Sequence, residues 1–449
     1  FLYFSYYNSF LQASALKYAS QAGAVSDTIA TLLSPALAVF LLGPVLVLVA
    51  SVMRKFPPPA LSLSQQLVAL GAVLAVFAAG HGYLVYKEYQ RWGTPCRLYC
   101  RAFDNSDVVR KLGIINFTGL DFVRQAFKQK GVSEAERQFA LSYAAQAKSK
   151  PAQGGPNFTG VAKGRNVVFL QLESVEGWVL NKSVDGQEIT PNLNKLAQEG
   201  LNFTQYYHHV GPGTTADAEF QTLTGMYAPM TEVPFFEYPT HDYNALPEYL
   251  KRYGYKQGAV FHGDEKTFWN RTAIYPQLGI DTFTGVEAYH VPRQVIWGLS
   301  DYDFFTQSVT KMGQLKSPFF LNLMALTSHT PFDLPRDLVR IKVDHTKLGI
   351  SDFQARYIEA VNYVDYAVGH LMEQLKQNGL YDNTLFVIYG DHKAQIAPHH
   401  DNAFAKFEGA GEGYTEFTYL KHLRGPIIIL APGTEARGNI DTPATHVDL

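Results

Sequence analysis

Between Thr28 and Met53 the chain carries no charged residue, and Ala36-Leu-Ala-Val-Phe-Leu-Leu-Gly-Pro-Val-Leu-Val-Leu-Val-Ala50 within it is almost wholly aliphatic. A helix needs roughly 20 such residues to cross a bilayer, so this run has few ways to fold in water. Arg54 and Lys55 close it, Pro57 to Pro59 make a turn, and a second uncharged run continues to Tyr86. That second run is densest from Leu67 to Ala79, with His81 its main polar residue. Two spans joined by a short basic turn predict a membrane hairpin; two buried helices of a soluble domain are the plainer alternative. Phe1 to Leu16 is apolar and aromatic and reads as the end of an earlier span. No initiator Met precedes it and the chain ends on Val447-Asp-Leu449, so truncation at both ends is expected. Arg54 and Lys55 place the turn in the cytoplasm, although Lys87 and Arg91 weaken the asymmetry. The chain after Tyr86 is then extracytoplasmic.

Residues 87–160 differ in character. Cys96 and Cys100 are the only cysteines. They can pair in an oxidising compartment, but four-residue spacing strains a disulfide, and no neighbouring Cys or paired His suggests a metal site. Residues 104–148 are charged and helix-patterned, as in Ser133-Glu-Ala-Glu-Arg-Gln-Phe-Ala-Leu-Ser142, and Lys148-Ser-Lys-Pro-Ala-Gln-Gly-Gly-Pro156 has a linker's composition. The expected division is therefore 1–86 transmembrane helices, 87–160 helical connector and linker, and 161–449 a folded domain. A formal net charge of −2 over 449 residues gives no footprint for nucleic acid.

After the linker, strands and helices alternate. Asn166-Val-Val-Phe-Leu-Gln-Leu172 is a short apolar run of the kind buried in a parallel sheet. Gln257–Phe261, Pro318–Ala325, Thr384–Tyr389 and Gly425–Leu430 are similar. Thr190 to Gly200 has a cap residue, a first-turn Pro and a closing Gly, and Ser351 to Asn378 is a long helical stretch. The pattern predicts an α/β domain with a mostly parallel central sheet flanked by helices, with ligands gathered at the carboxyl ends of the strands.

At those ends stand Glu173, His262, the pair Asp391-His392 and, slightly further on, His329. His208-His-Val-Gly-Pro-Gly-Thr-Thr-Ala-Asp-Ala-Glu-Phe220 adds a glycine-rich loop running into a helix, with Thr215 at the junction. A hydroxyl there is placed where backbone N–H groups favour an anion, though Thr at such a position often serves only as an N-cap. Two carboxylates, an imidazole and a hydroxyl form an O/N donor set suited to Mn²⁺, Mg²⁺ or Zn²⁺. A Thr hydroxyl needs such help, or a base, to act as a nucleophile.

Leu172-Glu-Ser174, Val210-Gly-Pro-Gly-Thr-Thr-Ala-Asp-Ala-Glu-Phe220, Phe261-His-Gly-Asp-Glu-Lys-Thr-Phe-Trp-Asn-Arg271 and Tyr389-Gly-Asp-His392 resemble the lipoteichoic acid synthase family. These are membrane-anchored phosphoglycerol transferases of the alkaline phosphatase/sulfatase superfamily. The resemblance is strong over about residues 160–449. It implies an alkaline phosphatase-like domain in which Glu173, Thr215, Asp391 and His392 bind one divalent metal, usually Mn²⁺, with Thr215 as nucleophile. It also implies a head-group pocket of His262, Asp264, Trp269, Arg271 and His329. There Arg271 would bond phosphate, while Asp264 and the histidines would bond glycerol hydroxyls. The implied reaction moves glycerol phosphate from phosphatidylglycerol to a glycerophosphate, glycolipid or glucan hydroxyl through a phospho-threonine, releasing diacylglycerol. The implied location is the bacterial cytoplasmic membrane, multi-pass, with the catalytic domain outside.

Thr214 and Lys393 depart from the family pattern, where Lys and an aromatic are expected; His399, His400 and Asp401 form a second metal site, further substrate contacts or, the plainer reading, an exposed polar loop. A phosphoethanolamine transferase shares the Glu, Thr, Asp and His set, but no Cys follows Cys100 to build the disulfides usual there. A sulfatase-type or phosphodiesterase hydrolase fits less well, because no Cys or Ser followed by Pro and Arg occupies the nucleophile segment. An inactive membrane-tethered sensor would need a missing ligand or nucleophile.

Overall fold

Asn166–Leu172 (β1) is buried at every position, and that is why it reads as an unbroken apolar run. In the computed structural model it lies inside an eight-stranded sheet. Residues 62–92, 105–126, 133–149 and 158–449 are described, apart from 231, 395 and 398–400. The chain forms two units, divided between Gln153 and Gly154.

In the first unit, Leu63–Trp92 is one helix, α1. Its stretch Leu63–Lys87 is 25 residues long with mean hydropathy 1.9, long and apolar enough to cross a bilayer. Leu67, Val68, Val73 and Val76 are exposed along it, as a lipid-facing helix requires. The expected first span at 28–53 lies outside the described residues, as do Cys96 and Cys100. Three helices follow: α2 (Asn105–Leu112), α3 (Ile114–Ala126) and α4 (Glu134–Ser149). Val108, Leu112 and Phe117 form a small core there. The patterned stretch 133–142 belongs to α4, whose Ser133 hydroxyl accepts from Glu136 N at 3.2 Å.

The second unit is a mostly parallel sheet between helices. Its further strands are β2 (Leu201–Phe203), β3 (Gln257–His262), β4 (Thr282–Thr284), β5 (Phe319–Met324), β6 (Thr384–Gly390), β7 (Ile427–Leu430) and β8 (Gly438–Ile440). They lie in the order β8-β2-β7-β6-β1-β5-β3-β4. β1 is parallel to both neighbours, β5 and β6. Among the described strands of this sheet, antiparallel pairing occurs only at β7, against β6 and β2. The sequence expectation of an α/β fold with a mostly parallel sheet is met.

The four longest described helices of this unit are α5 (Pro191–Glu199), α6 (Thr215–Thr224), α7 (Asp301–Met312) and α8 (Asp352–Gln377). Helix α8 starts on a capping box in which Ser351 and Gln354 satisfy each other's backbone N–H groups. Its apolar stripe, including Ile358, Val361, Val368, Leu371 and Leu375, packs into the core containing Val168, Leu170 and Leu172 of β1. Each such side chain contributes roughly 1.5–3 kcal/mol on burial, and Leu371→Ala is expected to cost about 2–5 kcal/mol. Asp365, in the middle of α8, accepts from the backbone N–H groups of Asn192 and Leu193 at 3.1 and 2.7 Å. It therefore caps α5, whose own Thr190 makes no capping bond.

Candidate active site

Register brings the first two functional side chains together. Leu172 stands opposite Gly390 across β1 and β6, so the chain leaves both strands at the same level, carrying Glu173 and Asp391 side by side. Ser174 turns sharply with φ of 53°. Its N–H donates to Asp391 Oδ1 at 2.8 Å and its hydroxyl to Glu173 Oε1 at 2.7 Å. The Ser328 hydroxyl, from the loop after β5, donates to the Glu173 carbonyl. Gln171 donates to Asp391 Oδ2 at 3.4 Å and accepts from the Tyr389 hydroxyl at 2.8 Å. His392 Nε2 lies 3.3 Å from Glu173 Oε1 and 3.6 Å from Asp391 Oδ2.

Thr215 joins them from the opposite loop. Asp217 Oδ2 accepts from the N–H groups of Gly211 and Gly213 at 2.8 and 3.0 Å, folding Gly-Pro-Gly tightly around one carboxylate. A Cβ at Gly213 would stand 2.2 Å from Asp217 Oδ1, so only glycine fits. Thr214, with φ of 40°, occupies the N-cap position but makes no side-chain cap, and Thr215 is the first residue of α6. Thr215 is thus not the capping residue, and its hydroxyl is released for other work. Its Oγ1 lies 3.4 Å from Glu173 Oε2 and 3.3 Å from His392 Nε2.

The electrostatics of this cluster are unbalanced. Burial opposes ionisation of Glu173, but the neighbouring His392 and His329 together hold its carboxyl well below the usual range. Burial first, and then the Glu173 charge, push Asp391 up to about 7. Burial disfavours the charged form of His392, yet Asp391 and Glu173 raise it to about 10. Two buried carboxylates so close together require a positive partner. Glu173, Asp391 and His392 each offer one ligand atom, and these atoms lie within 4.8 Å of one another. His392 Nδ1 lies 3.0 Å from the Lys393 carbonyl, a contact that leaves the Nε2 lone pair directed at the carboxylates. The donor set and its charge fit a divalent cation.

The residues expected for the head-group pocket come from the end of β3, the segment after it and the loop after β5. His262 ends β3, with Nδ1 3.3 Å from the Met324 carbonyl. Burial, and next the charge of Arg271, depress it to about 3, so it is a neutral imidazole. Burial pushes Asp264 up to about 6. His329 lies against Trp297, ring centroids 3.8 Å apart, and burial lowers its pKa. Trp269 is half-buried with φ of 57° and packs edgewise near Phe268 at 5.4 Å, with Phe236 at 6.1 Å.

Arg271, expected to bond phosphate, is also engaged within the protein. It is fully buried and held by Glu219, with Nη2 at 2.7 Å and Nε at 3.1 Å from Oε1. The Tyr275 hydroxyl donates to the other carboxylate oxygen. Nη1 is buried and meets no protein acceptor. Among the other residues weighed from sequence, His399 and His400 lie outside the described residues. Asp401 is a helix N-cap, accepting from Phe404 N at 2.9 Å, and also accepts from Gln354 at 2.7 Å. Glu219, Asp217, Ser174, Ser328 and Trp297 were not singled out from sequence. For Glu219 the available signal was its position one helical turn after Thr215; Trp297 carried none.

A mostly parallel sheet with carboxylates, an imidazole and a hydroxyl converging at its strand ends defines an alkaline phosphatase-like catalytic domain. The sulfatase family model matches residues 165–449, and that of the lipoteichoic acid synthase N-terminal domain matches 1–133. The lipoteichoic acid synthase-like YvgJ of Bacillus subtilis is 31% identical over 463 residues, covering all of this chain and 72% of its own length. The lipoteichoic acid synthase of Staphylococcus aureus is 35% identical over 78% of this chain and 55% of its own. The solved structure of the lipoteichoic acid synthase LtaP from Listeria monocytogenes aligns with a TM-score of 0.62 and 26% identity, over 68% of this chain and 75% of that one. The chain belongs to the lipoteichoic acid synthase-like phosphoglycerol transferase family of the alkaline phosphatase superfamily. It is accordingly an enzyme, a phosphotransferase.

Proposed function

We propose that the chain transfers glycerol phosphate from phosphatidylglycerol to an acceptor hydroxyl through a glycerophosphoryl-Thr215 intermediate. The observation that carries this reading is the Thr215 hydroxyl, freed from capping and lying 3.4 Å from Glu173 Oε2 and 3.3 Å from His392 Nε2. Glu173, Asp391, His392 and Thr215 would hold one divalent metal, Mn²⁺ by the family resemblance, with Mg²⁺ or Zn²⁺ as alternatives. Such an ion supplies a lowered hydroxyl pKa and neutralisation of charge on the phosphoryl oxygens.

In the first step Thr215 Oγ bonds to phosphorus while the bond from phosphorus to the diacylglycerol oxygen breaks. The Thr215 hydroxyl, 3.4 Å from Glu173 Oε2, gives up its proton to water, and the departing oxygen takes up a proton to give diacylglycerol. The start of α6 offers backbone N–H groups and a positive dipole to the phosphoryl oxygens. In the second step an acceptor hydroxyl bonds to phosphorus, the Thr215–phosphorus bond breaks, and the threonine recovers its proton. His262, Asp264, Trp269, Arg271 and His329 would line the head-group pocket. The acceptor class is a glycerophosphate chain, a glycolipid or a glucan.

Helix α1 supports a membrane location, where a lipid donor presents its head group. The full reading is a multi-pass protein of the bacterial cytoplasmic membrane with residues 161–449 outside. The test is diacylglycerol release by the full chain in vesicles containing labelled phosphatidylglycerol or labelled phosphatidylethanolamine. Release from the first and not the second is expected; the reverse preference would establish the phosphoethanolamine reading instead.

A further inference from the structure

Helix α6 carries two buried acidic residues beyond its nucleophile. Asp217 is spent on the glycine loop. Glu219, one helical turn from Thr215, has no bond to that loop and faces Arg271. All of Arg271, Glu219 and Tyr275 are at most 1% exposed. Glu219 Oε1 accepts from Nη2 and Nε of Arg271, while Oε2 accepts from the Tyr275 hydroxyl. The guanidinium is therefore neutralised and fixed on one edge, and Nη1 remains a buried donor without a protein acceptor. The Arg271 charge lowers the pKa of both His262 and Asp264, two of the residues proposed above for the head-group pocket.

We propose that Glu219 and Tyr275 are positioning residues that set head-group specificity, by holding Arg271 so that Nη1 offers a donor to a glycerol hydroxyl of the transferred group. This rests on the glycerol phosphate reading above. The chemistry discriminates between head groups in one direction. A glycerol hydroxyl accepts from Nη1 and satisfies it; the phosphate oxygens are common to both lipid donors and do not discriminate. An ammonium head group has donors only, leaves Nη1 unpaired and meets a like charge. Because Glu219 and Thr215 share one short helix, the same element that presents the nucleophile also sets the guanidinium.

The experiment uses the full chain in vesicles, with Glu219→Gln, Tyr275→Phe and the double variant assayed against phosphatidylglycerol and phosphatidylethanolamine. Tyr275→Phe removes one hydroxyl and keeps the ring. It is expected to raise KM for phosphatidylglycerol about threefold to tenfold with kcat within about twofold. The ratio of kcat/KM for phosphatidylglycerol over phosphatidylethanolamine is expected to fall about tenfold in Glu219→Gln, and Glu219→Asp should recover part of it. Manganese binding, followed by calorimetry, should be unchanged in all of them. A lowered melting midpoint with KM and the donor ratio unaltered would make the triad a structural clamp only and overturn the proposal, as would failure of both single variants to fold. If the unaltered protein releases nothing from phosphatidylglycerol, the functional reading fails first, and independently of these variants.

Discussion

Two buried charge clusters each meet helix α6, one at Thr215 and one at Glu219, and they are built in opposite ways. Glu173, Asp391 and His392 bring two carboxylates to one imidazole, with Thr215 against them. Arg271, Glu219 and Tyr275 bring one guanidinium to one carboxylate and close on each other. The first is short of positive charge and fits a cation; the second is balanced and short of one acceptor. Burial without balance marks where an ion is wanted. Burial with balance marks a fixed shape, which suits recognition better than reaction.

The largest effect expected from this contrast is on turnover. Thr215→Ala should reduce diacylglycerol release by at least ~10³-fold while the protein stays folded, as judged by its melting curve. Next comes the balanced cluster: Glu219→Ala leaves a buried guanidinium unpaired and should cost about 3–5 kcal/mol in urea unfolding. An equal loss in Arg271→Ala would confirm that each partner is needed by the other. The unbalanced cluster should behave differently, gaining stability from an added ion. Manganese at a hundredfold over its Kd should stabilise the protein by about 2.7 kcal/mol, and Asp391→Asn should shrink that increment. No manganese-dependent rise in melting midpoint would break the comparison. Smaller again is Gly213→Ala, which forces a Cβ against Asp217 and should cost about 1–3 kcal/mol. Smallest is Lys406→Ala, which removes an exposed pair with Glu412 and should leave the melting midpoint where it is.

Much of this arrangement could be read from the chain, and what could not has a physical reason. β1 and β6 were legible because strands covered on both faces must be apolar throughout. The residues at their ends were legible because Glu173 and Asp391 follow directly in sequence. β2, β4 and β8 were missed: three residues are too few to show a period. The reversed direction of β7 was equally hidden, since an apolar run carries no sign of which way it points. In the site, Thr215 stood out through its glycine loop, whereas the pairing of Arg271 with Glu219 left no mark in the sequence. Glu219 lies 52 residues earlier, and only the packing of α6 reveals that the guanidinium is already engaged.

The most direct test of the account is to react the full chain with phosphatidylglycerol in the absence of acceptor, quench in acid and locate any adduct by peptide mass spectrometry. The account predicts one glycerophosphoryl group on the peptide containing Thr215, absent from Thr215→Ala. An adduct on another residue, or diacylglycerol release undiminished in Thr215→Ala, would contradict it.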